Sequence, residues 1–245
     1  MKTTNNTNLT PQLNDALKKA FEKVITLVGE QQASRELGFA INIIAKNKSL
    51  QTCSIESVID AVVSASRIRL SLNPSLRLAS LSARENEAVL DITYMGLISV
   101  LKKSGGCKYI EATIVYSDED FEYSPAEGLL KHIPFFATSA KEQEKRKIIG
   151  CYSRATLPTN DVVFCFMPMW EIEKVRNQSK KSGEHYWTEW QEEMIKKTVI
   201  RRHFKLLVNG SELDEVISAL EVENTNHAVQ PIDKKKSSLF DLDFE

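Results

Sequence analysis

Trp190-Gln-Glu-Glu-Met-Ile-Lys-Lys-Thr-Val-Ile-Arg-Arg-His-Phe-Lys-Leu-Leu207 reads as one helix. Wound at about 100° per residue, Ile195, Val199 and Leu206 share a stripe, with Ile200, Phe204 and Leu207 beside it. Lys197, Arg201 and Lys205 recur at every fourth position and project from one side together, with Arg202 at the margin of that row. Glu192 and Glu193 are confined to the first turn, where acidic groups suit the positive end of the helix dipole. A basic row on an anchored helix suits a polyanion, although a solvated amphipathic face has the same local pattern. The rest of the chain decides between the two.

Upstream of that helix, helical and two-residue periods alternate. Leu13, Leu17, Ala20, Phe21, Val24, Ile25 and Val28 repeat at helical spacing, and a second helix is expected over 36–45. Ser54 is placed as the N-cap of a third, with Val58, Ile59, Val62 and Val63 facing inward. After Asn73-Pro74 the period becomes two: 76–83 and 88–93 flank Arg84-Glu-Asn-Glu87 as a hairpin. Tyr94 to Lys103 returns to helical spacing and stops at Ser104-Gly105-Gly106. Tyr109 to Tyr116 is β-branched and aromatic, hence a strand, and 121–123 and 129–133 are shorter strands. Stretches 148–157 and 162–167 flank Pro158-Thr-Asn-Asp161 as another hairpin, and 169–179 is helical. Hairpins meeting helices in this order predict an α+β fold, a curved antiparallel sheet with helices packed on one face.

Three regions follow: a helical N-terminal region over 1–49, a core over 50–207, and an acidic segment over 208–245. That last segment is expected to hold a short helix over 211–222, a Pro-interrupted polar linker and a flexible acidic tip, Ser237 to Glu245. The net charge of −1 hides a segregation. Residues 1–140 are balanced, 141–205 carry 14 basic against 9 acidic side chains, and 206–245 carry 3 against 9. A phosphate backbone responds to the local field and not to the average, so a near-neutral whole chain does not exclude a nucleic-acid partner.

Several chemistries are missing. None of the nine glycines precedes a lysine, which rules out a Walker A phosphate loop. No Asp or Glu before position 222 has Lys two residues later, which removes a common nuclease signature. His132, His185, His203 and His227 are far apart, and structural or surface roles are expected for each. Asp118-Glu-Asp120 is expected to be a solvated turn and not a metal site. Cys53, Cys107, Cys151 and Cys165 show neither zinc nor disulfide spacing; Cys151 and Cys165 are expected in the core. With no 18-residue apolar run and a polar start, Met1-Lys-Thr-Thr-Asn-Asn-Thr-Asn, neither a membrane span nor a secretory signal is expected, and a cytoplasmic location fits.

Met194 to Arg202, together with Asn73-Pro-Ser-Leu76, Tyr94-Met-Gly-Leu-Ile98, Ser104-Gly105, Val115-Tyr116, Asp120-Phe121, Gly128 and His132-Ile-Pro134, resembles the RecT family of phage recombinases. Gly150-Cys-Tyr152, Phe166-Met167, Glu171-Ile172, Lys174-Val-Arg176 and Ser179 continue the likeness in the family's order, from about 50 to 207. Leu78 to Ala83 departs from the aromatic and Val-Pro-Tyr-like strand usual there, and Arg69 stands where a small residue is common. The resemblance implies a core loosely related to eukaryotic Rad52-type annealing proteins. It also implies annealing of complementary single strands in homologous recombination without a nucleotide cofactor, by a ring- or filament-forming oligomer in a bacterial cytoplasm. No cofactor is expected, with Mg²⁺ assistance of annealing left open, and no catalytic residue.

The candidate DNA contacts are Lys197, Arg201, Arg202 and Lys205, then Lys174 and Arg176. Lys102 and Lys103 end a helix, where a dipole role stands beside phosphate contact. Tyr94, Tyr116 and Phe121 are candidates to stack on bases, with core packing as the alternative. Trp187 and Trp190 are expected to anchor the basic helix, and Lys180 and Lys181 are further cations beside it. The acidic, Phe-bearing tip resembles that of bacterial single-stranded-DNA-binding proteins, so it is a candidate to occupy the chain's own groove or to meet a host binding protein or phage exonuclease. A passive single-strand binder and an assembly protein using the basic helix on an acidic partner are the competing readings.

Overall fold

The computed structural model describes residues 10–178, 184–208 and 214–228. Lys180, Lys181 and the C-terminal tip lie outside them, as do the side chains of His185 and His227. The elements run α1 (Pro11–Val28), α2 (Glu30–Lys46), α3 (Lys48–Gln51), α4 (Ile55–Arg67), β1 (Ala79–Arg84), β2 (Glu87–Ile92), α5 (Tyr94–Lys103) and β3 (Tyr109–Tyr116). There follow β4 (Asp120–Ser124), β5 (Leu129–Ile133), α6 (Ala140–Gln143), β6 (Ile148–Thr156), β7 (Val162–Pro168), α7 (Met169–Gln178), α8 (Glu184–Glu189), α9 (Gln191–Val208) and α10 (Asp214–Ala228). The expected α+β class with antiparallel hairpins is what the chain adopts, its strands divided among three sheets: β1–β2, β3–β6–β7 and β4–β5.

Local chemistry sets the boundaries. Thr10 caps α1 by accepting from the Leu13 amide, Pro11 opens its first turn, and Gly29 ends it at φ 79°. Ser54 caps α4 as its sequence position predicts. Glu85 and Asn86 make the tight β1–β2 turn, both with positive φ, as a two-residue loop of this hand requires. Thr93 caps α5 and ties it back to the strand, donating to the Arg77 carbonyl at 2.8 Å and accepting from the Gly96 amide at 3.0 Å. Gly96 has no room for a side chain, because a Cβ there would lie 2.2 Å from the Leu78 carbonyl oxygen. Arg69, beyond the end of α4, holds φ 54°, a left-handed conformation that glycine adopts without strain.

Two apolar clusters result. The first joins α1, α2, α4, the β1–β2 hairpin, α5 and α10, from Leu13 through Leu50, Leu97 and Phe204 to Ala219. It therefore draws on residues before position 50 and after position 207 as well as between them. The second lies between the β3–β6–β7 sheet and its helices and contains Ile114, Tyr116, Cys151, Met167, Ile172, Trp187, Ile195 and Val199. Helix α9 belongs to both: Ile195 and Val199 enter the second cluster, Phe204 and Val208 the first. His203, also on its buried side, meets Ser153 of β6 at 2.9 Å.

Two expectations about this helix are corrected. Leu206 is 57% exposed, and Val208 and His203 take the inward places instead, because the burying face is defined by two partners and is wider than one stripe. Trp190 is 63% exposed in the turn between α8 and α9, while Trp187 is buried at 3% and is the anchor. All four cysteines are buried free thiols, as composition and spacing suggest.

Candidate nucleic-acid interface

The cations expected to line a groove fall on two sides of α9. On one side α7 and α9 are joined by a 2.9 Å pair between Arg202 and Glu171. Lys174 lies one turn beyond Glu171, its ammonium 4.6 Å from the Trp170 ring centre; Arg176, two residues on and so on another side of α7, lies 5.9 Å from the ring centre of buried Trp187. Arg202, Lys174 and the 58%-exposed Trp170 face water. An exposed pair such as Arg202–Glu171 contributes at most about 1 kcal/mol. A phosphate can therefore replace the carboxylate without unfolding anything.

The other side faces β2 and α5. Arg201 donates to the Ile92 carbonyl at 2.6 Å, so its charge ties the basic helix to the hairpin. Lys197 and Lys205 flank it one turn away on each side, and all three are half-buried. The row exists at the predicted spacing, but it runs along a seam between helix and hairpin and not along an open crest. Tyr94 sits at the start of α5, its hydroxyl 3.5 Å from Glu193. Lys102 and Lys103 lie at the far end of α5, exposed; one lies 5.9 Å from the Tyr109 ring centre and the other reaches the Arg69 carbonyl at 3.4 Å.

Tyr116 and Phe121 have packed surroundings and not open ring faces. Tyr116 is 7% exposed; its hydroxyl donates to Glu192 in the first turn of α9 at 2.5 Å, and the Arg146 guanidinium lies 3.9 Å from its ring centre. Burial, then the Glu192 hydrogen bond, pushes its pKa up. Phe121 is stacked on Tyr152 and tilted against Phe166, where the β4–β5 hairpin covers the sheet face opposite α9. Aromatic residues in strands carry no sequence mark that separates these packing roles from stacking on a ligand.

The acidic triplet Asp118-Glu-Asp120 is exposed at Asp118 and Asp120, as its solvated reading has it, but not at Glu119. The Glu119 side chain is 2% exposed and the Arg146 side chain 5%, and they pair at 2.8 Å. Glu119 further accepts from the Tyr116 and Phe135 amides at 2.8 and 3.0 Å and meets His132 at 3.1 Å. Burial raises its pKa, but these amide bonds and Arg146 outweigh that and leave it below the ordinary carboxylate value. Asp118 is likewise held low, first by its hydrogen bonds to Arg146. The physical reason is distance along the chain: Arg146 arrives from 27 residues away, and no local pattern announces it.

A family model described as the RecT family matches residues 34–233. The chain belongs to the RecT family. It is 29% identical over 224 residues to Protein RecT of Escherichia coli (strain K12), an alignment covering 87% of this chain and 78% of that protein. The matched span of this RecT-family chain takes in every described strand, α7 and α9, so the surfaces above all lie inside the family region. Sequence reasoning passed over Trp170, which carries Lys174 four residues on; a Trp on a short charged helix was its only local signal.

Proposed function

We propose that this chain binds single-stranded DNA and promotes the pairing of complementary strands in homologous recombination, without ATP and without a covalent step. The observation that carries the reading is the α7–α9 pair, two packed helices joined by Arg202–Glu171, with exposed Lys174 one turn beyond Glu171, while their apolar sides are fixed in the core. Family membership supports it, as does the basic excess over 141–205. Cations of this kind neutralise phosphates and release condensed counterions, while base edges stay free for a complement. Base pairing supplies the specificity, so the protein needs little sequence readout.

In this reading residues 50–207 form the annealing core, copies assemble side by side to keep a strand extended, and the acidic C-terminal segment meets a host binding protein or an exonuclease inside the bacterial cell. Among the described residues, no helix is long and apolar enough to cross a membrane.

The test mixes complementary labelled oligonucleotides without ATP, with wild type and with a Lys174→Ala/Arg202→Ala variant. Both residues are exposed, so folding is preserved. Pairing by wild type should fall steeply with salt, and the variant's binding slope should be shallower by about 1.4, two single-strand contacts at ~0.7 each. Equal slopes and rates would place the groove elsewhere. Tight binding with pairing no faster than in protein-free solution would make the chain a passive binder.

A further inference from the structure

The loop between β5 and α6 presents Phe136 at 82% exposure and Phe135 at 46%. Exposed apolar rings on loops are common where the loop is loose, but this one is fixed at both backbone atoms of Phe135. Its amide donates to Glu119 and its carbonyl accepts from Arg146 at 2.9 Å, the same buried pair described above. Farther along, the Thr138 amide and hydroxyl both donate to Glu142, at 2.8 and 3.0 Å. A buried Glu–Arg pair is costly to desolvate. Here it holds in place a segment that shields little apolar surface, so what it secures is the position of an exposed ring.

Within eleven residues after that ring come Lys141, Lys145 and Lys147, all exposed and none with a side-chain hydrogen bond or ion pair among the described residues, and Arg146, between the last two, ties their stretch to the loop through Phe135. Of the carboxylates of this region, Asp118 and Glu119 are paired with Arg146, and Asp120, Glu142 and Glu144 remain as opposing charges. Gln143, in the middle of the segment, donates to Glu192 at 3.1 Å, so the patch abuts the first turn of α9, one turn before Lys197. A pre-positioned aromatic ring beside lysines is the pairing that recognises a base and its phosphates with no regard to sequence. An apolar pocket on a protein partner would be matched by the ring alone and not by three hydrated point charges.

We propose that Phe136, with Lys141, Lys145 and Lys147, forms a second contact strip for a single-stranded polynucleotide, with a base stacked on the ring and phosphates held by the lysines, continuing the track of α9. This rests on the single-strand-binding reading above and extends it to residues that reading does not use.

The test measures binding of a labelled oligothymidylate, and quenching of a 2-aminopurine oligonucleotide, across a salt series. It compares wild type, Phe136→Leu and a Lys141→Gln/Lys145→Gln/Lys147→Gln variant, each checked for an unchanged melting temperature and for oligomer mass. Phe136→Leu should weaken binding about tenfold and change the 2-aminopurine signal. The lysine variant should flatten the salt slope by about 2. Wild-type affinity and slope in both variants overturn the strip while leaving the α7–α9 reading intact. Altered oligomer mass with unchanged DNA affinity per subunit also overturns it and makes the loop a contact between copies. A wild-type chain that binds no oligonucleotide overturns the parent reading, and this one with it.

Discussion

His203 shows how one side chain can set a pH limit. It is 2% exposed, and burial lowers its pKa from 6.5 to about 4. Between those values the unfolded chain holds a proton at this site that the folded chain lacks, so stability is full above about pH 6.5 and declines as pH falls toward 4, by roughly 3 kcal/mol. Urea midpoints of wild type and His203→Gln should therefore diverge across that window; parallel curves would refute the assignment. Gly96 makes a steric prediction instead. Alanine there must displace the Leu78 carbonyl and the Ile92 methyl 2.9 Å away, at a cost of about 1–3 kcal/mol readable in a melt. The thiol of Cys151 is wholly enclosed and burial pushes its pKa up to about 12, so a thiol reagent should modify it only at the rate of unfolding.

Among elements, the Glu119–Arg146 pair is the one whose loss should reach farthest. Glu119→Ala leaves the Arg146 guanidinium paired with Asp118 alone and frees the Phe135 amide, which should cost about 3 kcal/mol and raise hydrogen exchange through 134–138. Unchanged exchange there would show that the loop is held by something else. The major helices and hairpins were legible in the sequence because each carries a sustained period and a cap or turn residue, such as Ser54, Thr93 or Glu85-Asn86. Helix α2 starts six residues earlier than its apolar pattern suggests, since Gly29 joins it directly to α1. Helices α3, α6 and α8 have four, four and six residues, too few to show any period. The candidate interface was legible only in part. Spacing placed the basic row on α9, but burial of Arg201 against Ile92 depends on a hairpin 109 residues away. The order β3–β6–β7 and the packing of Phe121 and Tyr116 are likewise products of distant pairing that composition does not encode.

For the whole molecule, α9 matters because it is shared. Phe204, fully buried, closes the first cluster, and Ile195 and Val199, one turn apart earlier in the same helix, close the second. Phe204→Ala should cost about 3–5 kcal/mol. Helical circular dichroism and the fluorescence of Trp187, a probe of the second cluster, should shift together in denaturant; separated midpoints would show that the two clusters melt independently. The same arrangement bears on grip. A polynucleotide pulled lengthwise by its neighbours exerts tension on whatever holds it, and a helix attached along one edge would peel away turn by turn. In the proposed binding mode the pulled element, α9, is riveted at both ends into separate bodies of hydrocarbon, so slack cannot develop at one end while the other stays fast.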